Sequence, residues 1–192
     1  MAEMLPRPGR CPRCFLQQAL CLCAQVRPIA HRTEVVVLRH WVESSKNSNT
    51  ARIAALALER CAIHDLGRDL EPRQVGILAR PGTWLLFPDG DAVTAPPHPA
   101  PERVLVLDGS WHQARRMRQR LAGLRGLPIL CLPPPSTAVE RLRTPPRRGN
   151  MATIEAIAAA LELLDGAEPA AALRELYALH VVRSRVSGRG YP

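Results

Sequence analysis

The first clear element in the pattern of apolar and polar positions is Thr33 to Arg39, where Val35, Val36, Val37 and Leu38 form an unbroken apolar run. Such a run suits a strand buried on both faces, as in a parallel sheet covered by helices. Between Asn49 and Arg60 the apolar residues Ile53, Leu56 and Ala57 recur at helical spacing, behind the capping candidates Asn47, Ser48 and Asn49. Short strands are predicted at Ala62–Leu66, Gly76–Leu78 and Trp84–Phe87, and the four prolines between Asp89 and Glu102 predict a surface loop. Arg103–Leu107 is the most distinct strand and runs into Asp108-Gly109, after which Ser110 can cap a helix reaching about Leu121. Trp111, Ala114, Met117 and Leu121 would share one side of that helix. Pro128–Leu132 predicts a further strand, halted by three prolines, and a long polar loop from Ser136 to Asn150 follows. Helices are predicted from Thr153 to about Leu164 and from Pro169 to Ser184. Strands alternating with helices imply an α/β domain on a mainly parallel sheet over residues 31–192. Residues 1–30, rich in Cys and Pro and without periodicity, form a loop-built appendage.

That appendage carries Cys11, Cys14, Cys21 and Cys23 in the spacing C-x2-C-x6-C-x-C. Two close pairs of thiols can supply the tetrahedral sulfur set that Zn²⁺ takes, and the adjacent Arg10 and Arg13 favour thiolate formation. Unligated core thiols and a redox C-x-x-C are the competing readings. A segment this short has little else to bury, so a structural zinc site filled entirely by protein ligands is expected. Cys61 and Cys131 are expected in the core, at a helix end and in a strand.

Charge narrows the partner. Twenty-six basic residues face seventeen acidic ones, a net charge of +9, in a chain of 192 residues that suits one compact domain. A composition in which Lys46 is the single lysine explains why the cations are arginines, but not why they outnumber the acids. Nucleic acid is the usual partner of such an excess. No segment approaches the roughly 20 apolar residues that span a bilayer, and Met1 to Arg10 lacks the apolar stretch of a signal peptide. The expectation is a cytoplasmic protein with no membrane partner.

Ligands of open parallel sheets bind beyond the carboxyl ends of the strands, where Asp108 stands. Alone, an Asp ahead of a helix is most often a cap. Asp108, Ser110 and Trp111 together, however, resemble the D-x-T-W signature of the DTW-domain family, the tRNA-uridine aminocarboxypropyltransferases. The resemblance extends through the four clustered cysteines, His40-Trp41-Val42-Glu43, Asn49-Thr50-Ala51-Arg52, Leu85-Leu86-Phe87-Pro88, Arg141-Leu142-Arg143 and Thr153-Ile154-Glu155-Ala156. These motifs lie in order over residues 11–160. Two positions depart from the family pattern: Ser110 stands in place of Thr, and Ala152 in place of Ser.

The resemblance implies a SPOUT-like α/β fold whose C-terminal part forms a trefoil knot, with S-adenosylmethionine held on the knot loops. Those loops would follow Leu86, Phe87 and Pro88, then Leu107 and Asp108, then Leu130, Cys131, Leu132 and Pro133, with Thr153 to Glu155 closing the pocket. The reaction implied is transfer of the 3-amino-3-carboxypropyl group to N3 of a tRNA uridine, releasing 5′-methylthioadenosine. Asp108 is a candidate for accepting the N3 proton or for holding the donor's ammonium group, and sequence does not choose between them. Glu155 is the second carboxylate, suited to the ammonium or the ribose hydroxyls. Trp111 fits either a stacking residue or a core residue. Arg115, Arg116 and Arg118 on the helix, with Arg141, Arg143, Arg147 and Arg148 on the loop, are candidates for RNA phosphate contacts. His40, Glu43 and Arg52 are a candidate supporting cluster at the first strand's end. A methyltransferase using the same donor, and a non-catalytic zinc-ribbon RNA-binding protein, are the rival readings. Neither the oligomeric state nor the target uridine is written in the sequence.

Overall fold

The computed structural model of the protein describes residues 8–135 and 150–186. Five parallel strands form one sheet: β1 (Glu34–His40), β2 (Cys61–Leu66), β3 (Thr83–Leu86), β4 (Arg103–Asp108) and β5 (Ile129–Leu130), in the order β2-β1-β4-β3-β5. The unbroken apolar runs have the predicted cause, since both faces of the sheet are covered. Val35 and Val37 of β1 and Val104 and Val106 of β4 pack on one side. On that side lie α1 (Thr50–Ala57), α3 (Thr153–Asp165) and α4 (Ala167–Val186). Val36, Leu38, Leu105 and Leu107 pack on the other, against α2 (Trp111–Arg120) and 3₁₀ segments.

Local chemistry sets the helix ends. Asn49 caps α1, its side chain accepting the backbone N–H of Arg52. Ser110 caps α2 in a reciprocal arrangement with Gln113. Ala114, Met117 and Leu121 are buried on the α2 side predicted for them, while Trp111 is half-buried.

Three expectations need correction. Gly76–Leu78 is no strand but the end of a 3₁₀ helix, Pro72–Leu78, which Pro72 opens at its first position and Gln74 caps by accepting the Glu71 N–H at 2.9 Å. Gly76 there approaches Gly123 so closely that a Cβ on Gly123 would lie 2.4 Å from the Gly76 nitrogen. Cys61 does not end a helix, since α1 stops at Ala57 and Cys61 opens β2, half-buried. Cys131 is buried just after β5, a strand shorter than predicted. Among the described residues no helix is long and apolar enough to cross a membrane.

Candidate active site

The carboxyl ends of the three adjacent strands β2, β1 and β4 place charged residues in one row. Arg39 is the register partner of Asp65 on one side and of Asp108 on the other. All three are buried. Arg39 grips Asp65 with two hydrogen bonds, Nε to Oδ1 at 2.6 Å and Nη2 to Oδ2 at 3.0 Å. Its Nη1 reaches Asn49 Oδ1 at 3.4 Å, and Asn49 Nδ2 in turn donates to Asp108 Oδ2 at 2.5 Å. The other Asp108 oxygen accepts the Thr153 hydroxyl, also at 2.5 Å. Asp108 therefore ties the start of α1, through its cap Asn49, to the start of α3, through Thr153. Burial pushes the Asp108 carboxyl above its usual range, and the bonds from Thr153 and Asn49 and the charge of Arg39 only partly oppose this.

In front of this row lies a cavity of about 290 Å³. It opens at the carboxyl ends of β3 and β4, where open α/β sheets bind ligands. Of the positions expected to hold a donor, Leu86, Phe87, Pro88, Leu107, Leu132 and Thr153 line it. Leu130 is fully buried in the core and Pro133 is not in the lining, where Pro134 is found. Trp111, Gly109, Asn150 and Met151 also line it. None of the described lining residues is charged. Asp108 thus meets the cavity through an intermediary, the Thr153 hydroxyl.

The remaining predicted residues are placed as follows. Ser110 is exposed and serves as the α2 cap. Glu155 accepts the backbone N–H of Ala152 at 2.6 Å, at the start of α3. Arg115 and Arg116 are exposed on α2 and Arg118 is half-buried. Arg141, Arg143, Arg147 and Arg148 lie outside the described residues. His40 ends β1 with its Nδ1 buried and unpartnered among the described residues, and Glu43 and Arg52 beyond it take different partners. Glu43 pairs with Lys46 at 2.6 Å. Arg52 donates to the carbonyls of Lys46 and Ser44 and lies 3.6 Å from the centre of the Phe15 ring. Burial and the nearby charge of Arg39 bring Arg52 down to about 10. Sequence reasoning missed Arg39 and Asp65 altogether and took Asn49 for a cap alone. The available signal was a charged residue near the carboxyl end of each of three apolar strands.

The four clustered thiols converge. Their sulfurs all lie within 4.8 Å of one another, with Cys11–Cys23 at 3.7 Å and Cys14–Cys21 at 3.8 Å. A tetrahedral ion with metal–sulfur bonds of about 2.3 Å needs sulfur–sulfur edges of about 3.8 Å. The set therefore fits a metal ion. Burial raises the Cys11 thiol, but backbone N–H groups of Cys14 and Arg13 and the neighbouring thiols more than offset it and bring Cys11 to about 7. Burial and the other thiols push Cys14 and Cys23 upward instead. Clustered thiols resist joint ionisation unless a cation is shared among them. Phe15, between the two cysteine pairs, lies under Arg52 of α1, and Arg183 of α4 donates to the Cys21 carbonyl, so this segment is fastened to both helices.

The DTW domain model matches residues 9–185. The chain is 28% identical over 170 residues to tRNA-uridine aminocarboxypropyltransferase 2 of Drosophila melanogaster, covering 83% of this chain and 68% of that protein. It is 28% identical over 178 residues to the Mus musculus protein of the same name, covering 85% of this chain and 58% of that one. No solved structure matches significantly.

Proposed function

The chain belongs to the DTW-domain family, and from that premise we propose that it transfers the 3-amino-3-carboxypropyl group of S-adenosylmethionine to N3 of a uridine in tRNA. The observation that carries this reading is the uncharged cavity at the ends of β3 and β4, backed by the buried carboxylate of Asp108 one hydroxyl away. Its apolar wall of Leu86, Phe87, Leu107 and Leu132 suits the flat and thioether parts of such a donor. The Thr153 hydroxyl gives its proton to Asp108, which leaves its oxygen to accept from the donor's ammonium group. Of the two roles open to Asp108 from sequence, this geometry supports the second, exerted through Thr153. Trp111 and Asn150 stand at the cavity and would orient the incoming base.

In the reaction, the N3 lone pair forms a bond to the γ-carbon of the methionine moiety. The γ-carbon–sulfur bond breaks, its electron pair neutralises the sulfonium, and 5′-methylthioadenosine leaves. The N3 proton passes to water or to a base of the assembled complex. The leaving group needs no activation, so catalysis rests on alignment, which is worth about 7–11 kcal/mol when geometry is good. The same family reading assigns a SPOUT-like knot to the C-terminal section, and a sheet order that inserts β4 between β1 and β3 is consistent with it. It assigns Zn²⁺ to the Cys11, Cys14, Cys21 and Cys23 sulfurs, phosphate contacts to Arg115, Arg116 and the arginines of 141–148, and a cytoplasmic location. The ion would hold the appendage together and take no part in the transfer.

The test is mass spectrometry of nucleosides from tRNA incubated with the protein and S-adenosylmethionine. Aminocarboxypropyluridine with 5′-methylthioadenosine is expected. A methylated nucleoside with S-adenosylhomocysteine would overturn the reading in favour of methyl transfer.

A further inference from the structure

Trp41 is 47% exposed, an unusual state for an indole so close to a buried polar network. It opens the 3₁₀ helix Trp41–Ser45 directly after β1, and the Ser44 hydroxyl fixes its backbone by donating to the Trp41 carbonyl at 2.6 Å. Against the Cδ1 edge of the ring lies Gly67, in the turn after β2 with φ +87°. A Cβ on Gly67 would lie 3.0 Å from Trp41 Cδ1, so any side chain there would push against the indole. That edge of the ring therefore abuts bare backbone, and nearly half of the residue is open to solvent.

Its position relates it to the candidate active site. Trp41 follows His40, whose Cβ lies 3.6 Å from where a Cβ of Gly109 would be, and Gly109 lines the cavity. The indole and the cavity thus share the carboxyl-end face of the sheet. Among the described residues Val42 is the exposed large apolar neighbour of Trp41 in the chain, and the Glu43–Lys46 ion pair follows within the same segment. One indole and one valine are far too little for a protein interface, which needs a broad apolar core. A nucleobase needs only one supported aromatic face. The chain's net charge of +9 draws a polyanion to this surface.

We propose that Trp41 is a stacking platform for an unpaired base of the RNA substrate, adjacent to the site that receives the target uridine. This rests on the reading of the protein as an RNA-uridine enzyme and adds a residue that fixes how the RNA lies. Stacking is not ionic, so it contributes affinity without contributing to the salt dependence.

The test compares Trp41→Phe with Trp41→Leu in binding unmodified tRNA across a salt series, with S-adenosylmethionine titrations on the same proteins. Trp41→Leu should weaken tRNA binding about 5- to 100-fold, with an unchanged salt slope and unchanged donor binding, while Trp41→Phe retains most of the affinity. A Leu variant that binds tRNA as the wild type does, or a Phe variant that loses as much as Leu, would overturn the proposal. A second measurement needs no substitution. N-bromosuccinimide oxidation of Trp41 in the wild-type protein, mapped by peptide mass spectrometry, should be suppressed by tRNA and not by S-adenosylmethionine. Oxidation at an unchanged rate under saturating tRNA overturns the platform. If tRNA protects Trp41 while no aminocarboxypropyluridine forms, the proposed reaction fails and the platform stands. If product forms and Trp41 stays unprotected, the platform alone fails.

Discussion

Asp108→Asn separates the ways in which this buried carboxylate could act. The substitution keeps the shape and an oxygen for Asn49 Nδ2, but removes the charge that polarises the Thr153 hydroxyl. A hydrogen bond involving a charged group is worth about 1.5–3 kcal/mol, so donor affinity should fall about 10- to 150-fold if the ammonium is held by Thr153 with Asp108 behind it. Raising the pH should restore nothing. The fold should tolerate the change. Burial raises the Asp108 pKa, so its ionised form carries a net cost in the folded state that is absent at low pH, where the group is protonated. That cost grows as pH rises from the ordinary carboxylate range to the raised pKa and is constant above it. The asparagine variant escapes it and should unfold at least as high as the wild type at neutral pH, with the difference shrinking toward acid. Calorimetric donor titrations, a pH–rate profile with tRNA and thermal unfolding measure the three quantities. Unchanged donor affinity with turnover lost by about 10²–10⁴-fold and recovered in alkali would show instead that Asp108 takes the N3 proton. Full activity would refute both roles.

Three further outcomes are expected. Purified protein should contain about one zinc per chain, and Cys11→Ser should destabilise it severely, because structural zinc contributes about 10–16 kcal/mol that the appendage cannot replace; metal analysis and melting check this. Asp65→Asn should cost about 3–5 kcal/mol in denaturant unfolding, since it strands the buried Arg39 guanidinium. His180 of α4 is buried, and burial together with the Arg52 charge brings it from 6.5 to about 4. The unfolded chain takes this proton first as pH falls from about 6.5 toward 4, so stability declines in that window by about 3 kcal/mol. His180→Leu should flatten that part of the stability profile.

The strands were legible because burial on both faces writes a continuous apolar run, as in Val35 to Leu38 and Val104 to Leu107. The α2 start was legible because capping is local: Ser110 and Gln113 find each other three residues apart. The polar row was not. Arg39 meets Asp65 across 26 positions, and Asp108 meets Thr153 across 45 and Asn49 across 59. Those pairings depend on which strands are neighbours and in what register, and parallel crossovers leave no local trace of either. The same reason hid Trp41, whose exposure and support depend on a turn, Gly67, in a different strand connection. The 3₁₀ helix Pro72–Leu78 deceived the reading because its apolar residues, Val75 and Leu78, bury one short face without a helical period long enough to register.

Glu155 shows how a family motif and a structural duty can coincide. Ala152 precedes α3 and has no side-chain oxygen to cap it, so Glu155 supplies the reverse half of a capping box alone, accepting the Ala152 N–H at 2.6 Å. What that cap holds in place is Thr153, the hydroxyl between Asp108 and the cavity. Glutamine can accept the same N–H without a charge. If Glu155 acts by fixing the start of α3, Glu155→Gln should keep donor affinity and stability near wild type. Glu155→Ala should lose about 1 kcal/mol of stability together with donor affinity, through a displaced Thr153. If Glu155 instead binds the donor's ammonium or ribose directly as a carboxylate, Gln should be nearly as damaging as Ala to donor affinity while leaving melting unchanged. Restoring the hydroxyl with Ala152→Ser adds the missing half of the cap. On the capping account it should rescue the Glu155→Ala variant in part, and a failure of that rescue with donor affinity still lost would assign Glu155 to the ligand.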